Sequence, residues 1–184
     1  MASHFAIQFA VHQIRQGGVI IYPTDTVYGL GCDPMNLDAI NYLYHIKQRE
    51  PGKGLILLGH TLELFEDYIE ALSASDQKKV TSADRPTSWI VSAKPSLPDW
   101  LTNPQRTVAI RITQHPVVSE LCQQLNHPIV STSANLSGKK TIINALQAHK
   151  YFHDKVDAIL IDDRHLSGQA STIKKLDTLS TVRP

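Results

Sequence analysis

The sequence predicts an α/β fold: one domain over residues 1–184, built on a twisted mixed sheet flanked by helices. Two observations predict it. Short apolar runs alternate with segments whose apolar residues recur three or four apart, the strand and helix periods respectively. The chain has 184 residues, 42% hydrophobic and 19% charged, enough to bury one core, and no internal repeat or Ser/Gly-rich linker divides it.

The elements follow in order. Ala6, Ala10 and Ile14 share a face with Ile7 and Val11, a helical stripe that closes at Gly17-Gly18. A strand follows from Val19 to Tyr22, then the polar stretch Pro23-Thr-Asp-Thr-Val-Tyr-Gly-Leu-Gly31. Ile40, Leu43, Tyr44 and Lys47 recur at helical spacing, so Lys47-Gln48-Arg49 sits at a helix end. Leu55 to Leu58 is an apolar strand after Gly52-Lys53-Gly54, and Leu62, Phe65, Ile69 and Leu72 mark a further helix face. Strands are expected at Trp89–Val91, Val108–Ile112, Ile129–Ser131 and Ala158–Ile161, with a helix starting near Pro116, where proline suits a first turn.

The bulk chemistry excludes several classes. A formal net charge of +1 argues against disorder and against a strongly basic nucleic-acid arm. The two cysteines, Cys32 and Cys122, have no metal-type spacing and read as reduced thiols. With no signal-peptide pattern and no apolar run of membrane-spanning length, the expectation is a soluble, cytoplasmic protein. No Walker-type glycine loop occurs, which excludes a P-loop site.

Three polar clusters fall at the ends of the expected elements, where open α/β sheets place ligands. They are Pro23-Thr24-Asp25-Thr26; Lys47-Gln48-Arg49 with Lys53; and Ser131-Thr-Ser-Ala-Asn-Leu-Ser-Gly138. Each has a plainer reading: an ordinary turn, solvated charge set against a helix dipole, and a serine-capped helix start. Three such clusters together point to a site.

PTDTVYGLG, K-x-R before a Lys-Gly-Leu-Ile-Leu strand, and STSANLSG resemble the YrdC/Sua5 family, the threonylcarbamoyl-AMP synthases, over Gly18 to Arg183. The length resembles the short, single-domain form. The resemblance implies a concave ligand-binding face and a reaction joining L-threonine, bicarbonate and ATP into threonylcarbamoyl-AMP with release of pyrophosphate. It further implies partner proteins that transfer the threonylcarbamoyl group to adenosine 37 of tRNA.

Residue by residue, the resemblance assigns Thr26, Arg111, Ser131 and Ser171 to threonine. It assigns Lys47, Arg49, Lys53, Ser88, Ser133, Asn135, Thr141 and Arg183 to ATP, although the neighbours of Thr141 match poorly. Cations and neutral donors are what a phosphoryl centre needs while charge develops on it. Arg111 suits a carboxylate because a guanidinium offers a bidentate fork. Gly29 and Gly31 would let the backbone approach the substrate, and Asp25 reads as an Asx residue orienting the turn. No general base is identifiable. No protein metal cage is expected; Mg2+ would ride on the ATP phosphates.

The chain departs from the family at Asp84-Arg-Pro-Thr-Ser88, where Pro-Gly-Pro-x-Thr is usual: Arg85 takes the glycine position and Ser88 the threonine position. Leu58 stands where many relatives have histidine, with His60 two residues on. The rival functional reading is an RNA-binding module, for double-stranded RNA, tRNA or ribosome assembly, because phosphate and RNA-backbone sites use the same residue types. A second rival is a different carbamoyl-adenylate former, as in a hydrogenase-maturation carbamoyltransferase, without that protein's zinc-finger and acylphosphatase-like regions.

Overall fold

Ser3 caps the first helix: its hydroxyl accepts from the Ala6 N–H, and α1 (His4–Arg15) runs until Gly17, whose positive φ of 84° ends it. The computed structural model describes residues 2–50, 54–135, 141–162 and 166–183. After α1 come β1 (Ile20–Tyr22), β2 (Gly29–Gly31), α2 (Leu37–Lys47), β3 (Ile56–Gly59), α3 (Ala74–Thr81), β4 (Thr87–Ser92) and β5 (Thr107–Ile112). The chain continues through α4 (Pro116–Leu125), β6 (Ile129–Ser133), α5 (Ala145–Phe152), β7 (Ala158–Ile159), β8 (Thr172–Lys175) and β9 (Thr181–Arg183).

Among the described residues one nine-stranded sheet forms in the order β7-β1-β2-β6-β3-β5-β4-β8-β9. It is mixed, as expected: β1/β7, β3/β5 and β4/β8 pair in parallel, and the remaining neighbours pair antiparallel. Among the described residues no helix is long and apolar enough to cross a membrane.

Side chains alternate across a sheet, so register assigns each residue to a face. One face carries Ile21, Leu30, Leu57, Val91, Val108, Ile110 and Val130, which join α2 and α5 in a large core. On the other face, Ile20, Tyr22, Leu58 and Ile129 pack under α1 and α4, against Ile7, Val11, Ile14, Val118 and Leu121. The rest of that second face carries Gly29, Ser131, Ser133, Ile56, Ala109 and Arg111, and it borders a cleft.

Several expected elements differ. Leu62–Leu72 is not an α-helix: only Glu63–Phe65 makes a 3-10 turn, and Ile69 then bridges Ala93. The Lys94 N–H bonds to the Tyr68 carbonyl and the Glu70 N–H to the Ser92 carbonyl, so pairing with the chain at the end of β4 overrides the helical spacing. Gly29-Leu30-Gly31, at the close of the polar stretch, is itself strand β2. A Cβ on Gly31 would lie 2.4 Å from the Val130 carbonyl and 2.7 Å from the Tyr22 ring, so that glycine admits a tyrosine, not a substrate. Ser131 to Ser133 is strand too, so the capped-helix reading of that cluster falls away. The polar α3, the short α5, β8 and β9 carried too little apolar pattern to be anticipated.

Candidate functional site

The turn after β1 is organised by Thr24. Its Oγ1 donates to the Val27 carbonyl at 2.7 Å and accepts from the Thr26 and Val27 N–H groups at 3.1 and 3.3 Å. That is a Ser/Thr turn, and it corrects the expectation that Asp25 orients this segment. Asp25 Oδ1 instead accepts from Arg111 Nη2 and, at 3.0 Å, from Thr113 Oγ1. The turn leaves Thr26 buried, with its Oγ1 2.9 Å from Thr24 Oγ1 and 3.3 Å from Arg111 Nη1.

At the end of α2, Gln48 adopts the left-handed conformation (φ 50°) and the Arg49 N–H returns to the Tyr44 carbonyl at 3.0 Å. This reversal sends both flanking cations toward β6. Lys47 Nζ donates to the Ser133 carbonyl (2.5 Å), the Asn135 carbonyl (3.0 Å) and Asn135 Oδ1 (3.1 Å). Asn135 Oδ1 also accepts from Ser133 Oγ at 2.7 Å, so Lys47 clamps the turn after β6 from behind. Arg49 Nη1 donates to Thr132 Oγ1 and its Nη2 to the Gly54 carbonyl, each at 3.1 Å.

A cleft of about 350 Å³ opens on the uncovered part of the second face. Thr26, Arg49, Arg111, Ser131, Ser133, Ser171 and Arg183 all line it, over a floor that includes Ile56, Ile90 and Ala109. The lining joins residues at element ends (Thr26 after β1, Arg49 after α2, Ser133 at the end of β6, Arg183 at the end of β9) to mid-strand ones such as Ile90 and Ala109. The cleft lies across the middle of the sheet, because β2 and β6 stand beside β3 and β5 and α1 and α4 cover only part of that face.

The cleft's electrostatics are one-sided. Among its described lining residues, arginines are the only charged groups. Burial first, then the charges of Arg49 and Arg111, holds the Arg183 guanidinium below its ordinary value. Burial first, then the Arg49 charge, lowers the Lys47 ammonium to about 8. Crowded, partly desolvated cations raise one another's free energy, and an anion among them relieves it. Arg183 is fixed by donating from Nη2 to the Ser171 carbonyl at 2.9 Å.

The remaining expected residues fall elsewhere. Ser88 is buried and does not line the cleft; its Oγ lies 2.9 Å from Ser171 Oγ. Lys47, Asn135 and the half-buried Thr141 are also outside the lining. Lys53 and Leu136–Gly138 lie outside the described residues. Arg85 is exposed and outside the lining, Leu58 is sealed under α1 and α4, and His60 follows the end of β3. Sequence reasoning placed Thr24 and Thr132 in the polar clusters but gave neither a role. The first had a local signal, a hydroxyl two residues before a polar turn position. The second had none, because its partner Arg49 is 83 residues away. Among the described residues no group of three or more His, Cys, Asp or Glu side chains could hold a metal ion.

Comparison with known proteins gives a consistent picture. The Sua5/YciO/YrdC family model, described as telomere recombination, matches residues 12–184. A threonylcarbamoyl-AMP synthase of Pseudomonas aeruginosa (strain UCBPP-PA14) is 39% identical over the whole of both chains. One from Hydrogenovibrio crunogenus is 44% identical over 140 residues, 74% of this chain and 75% of that protein. The crystal structure of P. abyssi Sua5 complexed with L-threonine superposes with a TM-score of 0.85 at 26% identity, covering 95% of this chain and 52% of that one. The cleft between the K-x-R helix end and the STSAN strand is thus set in a chain that belongs to the Sua5/YciO/YrdC family.

Proposed function

We propose that this chain is a nucleotidyltransferase that makes threonylcarbamoyl-AMP and pyrophosphate from L-threonine, bicarbonate and ATP. The observation that carries the reading is the cleft itself: Arg49, Arg111 and Arg183 surround one volume together with the hydroxyls of Thr26, Ser131, Ser133 and Ser171. Full-length relatives named threonylcarbamoyl-AMP synthase support it.

Two kinds of group do two jobs. Arg111, with Thr26, Ser131 and Ser171, takes the amino acid, its guanidinium gripping the carboxylate. Arg49 and Arg183, with Ser133, take the ATP phosphates. Lys47 and Asn135 serve the nucleotide by fixing Ser133 in the turn they clamp, and Ser88 supports Ser171. The threonine amine attacks the carbon of bicarbonate: an N–C bond forms, a C–O bond breaks, and the departing hydroxide takes an amine proton and leaves as water, giving a carbamate. A carbamate oxygen then attacks the α-phosphorus, the bond to the β-phosphate oxygen breaks, and pyrophosphate departs. Fixed cations aimed at that charge lower the barrier without reorganising. With no carboxylate in the described lining, Mg2+ would enter on the phosphate oxygens of ATP.

In this reading residues 1–184 form one catalytic domain in the cytoplasm, and partner proteins pass the product's threonylcarbamoyl group to adenosine 37 of tRNA. The RNA-binding reading is less favoured, because buried hydroxyls such as Thr26 and Ser171 serve a small polar ligand and not an RNA backbone. The test is pyrophosphate release from ATP with each substrate omitted in turn. Release should need threonine and bicarbonate together. Equal release with serine, glycine or no amino acid would overturn the assignment.

A further inference from the structure

Arg111 is 5% exposed and sits at the inner end of the cleft, next to the apolar core under α1 and α4. A buried guanidinium is costly unless paired and hydrogen-bonded. Its Nη2 donates to Asp25 and its Nη1 to Thr26, while Nε has no hydrogen-bond partner among the described residues. Asp25 is not part of the cleft lining, so it grips Arg111 without occupying the ligand volume. Asp25 is itself held. Its Oδ1 accepts from Thr113 Oγ1 at 3.0 Å, and Thr113 Oγ1 in turn accepts the His115 N–H at 3.2 Å. A hydroxyl has one proton and lone pairs to spare, so Thr113 donates to the carboxylate and takes the backbone N–H as its anchor.

We propose that Asp25 and Thr113 are positioning residues for the amino-acid site: Asp25, oriented by Thr113, fixes the rotation of the Arg111 fork that receives the substrate carboxylate. This rests on the threonine reading of Arg111 given above. The chain of hydrogen bonds runs from the backbone after β5 through Thr113 and Asp25 to a single charged tip. A guanidinium pinned at one nitrogen and at Thr26 has lost the rotamer freedom that binding would otherwise have to remove. A rival outcome has a distinct signature: were Asp25 only a counter-ion competing with the substrate carboxylate, removing its charge would tighten threonine binding.

The experiment compares wild type with Asp25→Asn, Thr113→Val and Thr113→Ser. Threonine binding is measured by calorimetry, the KM values for threonine and ATP by pyrophosphate release, and folding by melting curves. Asp25→Asn should weaken threonine binding and raise its KM about tenfold or more, the effect of losing a charge-assisted hydrogen bond. The ATP KM should stay within about twofold, well under the effect of one such bond. Thr113→Val should act in the same direction and more weakly, and Thr113→Ser, which keeps the hydroxyl, should restore wild-type values. Unchanged or tighter threonine binding in folded Asp25→Asn overturns the inference, as does an equal loss for threonine and ATP. If Asp25→Asn does not fold, the Thr113→Val and Thr113→Ser pair decides by the same criteria. If wild type binds threonine in the calorimeter but releases no pyrophosphate, the reaction assigned above fails while the positioning result still stands or falls on the binding data.

Discussion

Two stretches of the same sheet face behave oppositely. Along β6, Ile129 is sealed under α1 and α4, while Ser131 and Ser133, two and four residues on and pointing the same way, line the cleft. Along β3, Leu58 is covered and Ile56 borders the cleft. Strand geometry is the same for both; the helices above make the difference. Where α1 and α4 exclude water the face carries Leu, Ile and Tyr, and where they end it carries Ser131, Ser133 and Arg111 among Ile56, Ile90 and Ala109. The covered part therefore stabilises the fold, and the open part tolerates unpaired donors and crowded cations.

The largest way to test that division is to damage the covered part. Leu58→Ala or Leu121→Ala should cost about 2–5 kcal/mol of stability by removing buried methyl groups and leaving a cavity. Denaturant titration reads the loss, and the substrate KM values of the folded fraction should not change. A large change in KM would break the division. Next, Arg49→Ala should weaken ATP binding by about 1.5–3 kcal/mol, the range for a hydrogen bond to a charged group. Its own bonds, to Thr132 and Gly54, are partly exposed, so the melting temperature should fall little. Unchanged ATP affinity would leave Arg49 as a structural tie between Thr132 and Gly54 only.

Thr26→Val should weaken threonine binding by about 1–3 kcal/mol, a tenfold to hundredfold loss, because valine keeps the shape and removes the hydroxyl. ATP binding should barely move. Because Thr26 Oγ1 also accepts from Arg111 Nη1, a modest drop in melting temperature should accompany it. Normal threonine affinity in this variant would remove Thr26 from the site. The smallest effect is in pH. Lys47 titrates near 8 when folded against 10.5 ordinarily, so between those values the unfolded chain holds a proton that the folded chain has released. Stability should then rise with pH across that window. Subtracting the pH dependence of Lys47→Met melting from that of wild type isolates this contribution; a flat or falling difference would contradict it.

Much of the fold was legible because its signals are local. The stripe of Ile7, Ala10, Val11 and Ile14, the runs at β1, β3, β5 and β6, and Pro116 at the first turn of α4 all lie within single elements. The segment from Leu62 to Leu72 misled because its apolar spacing fits a helix, while backbone bonds tie Tyr68 and Glu70 to Ser92–Lys94 at the end of β4. In the site, the residue types were legible and their arrangement was not. Lys47 bonds Ser133 and Asn135, and Ser88 Oγ lies against Ser171 Oγ, pairings that no local spacing announces.

By itself, the sequence determined the α/β class, the alternation of elements, and the three polar clusters with their hydroxyls and cations. Those follow from periodicity and side-chain chemistry within a few residues. The tertiary structure alone decided that the clusters share one cleft. It did so through a strand order, β2-β6-β3-β5, that is not the chain order. That order brings Asp25 to Arg111 across 86 residues and Lys47 to Ser133 across another 86. Such pairings leave no trace in local spacing, because the partners meet only through the arrangement of the whole sheet. The same holds for which part of a face α1 and α4 cover: a serine and an isoleucine two apart on one strand give no local sign that one will meet a helix and the other a ligand.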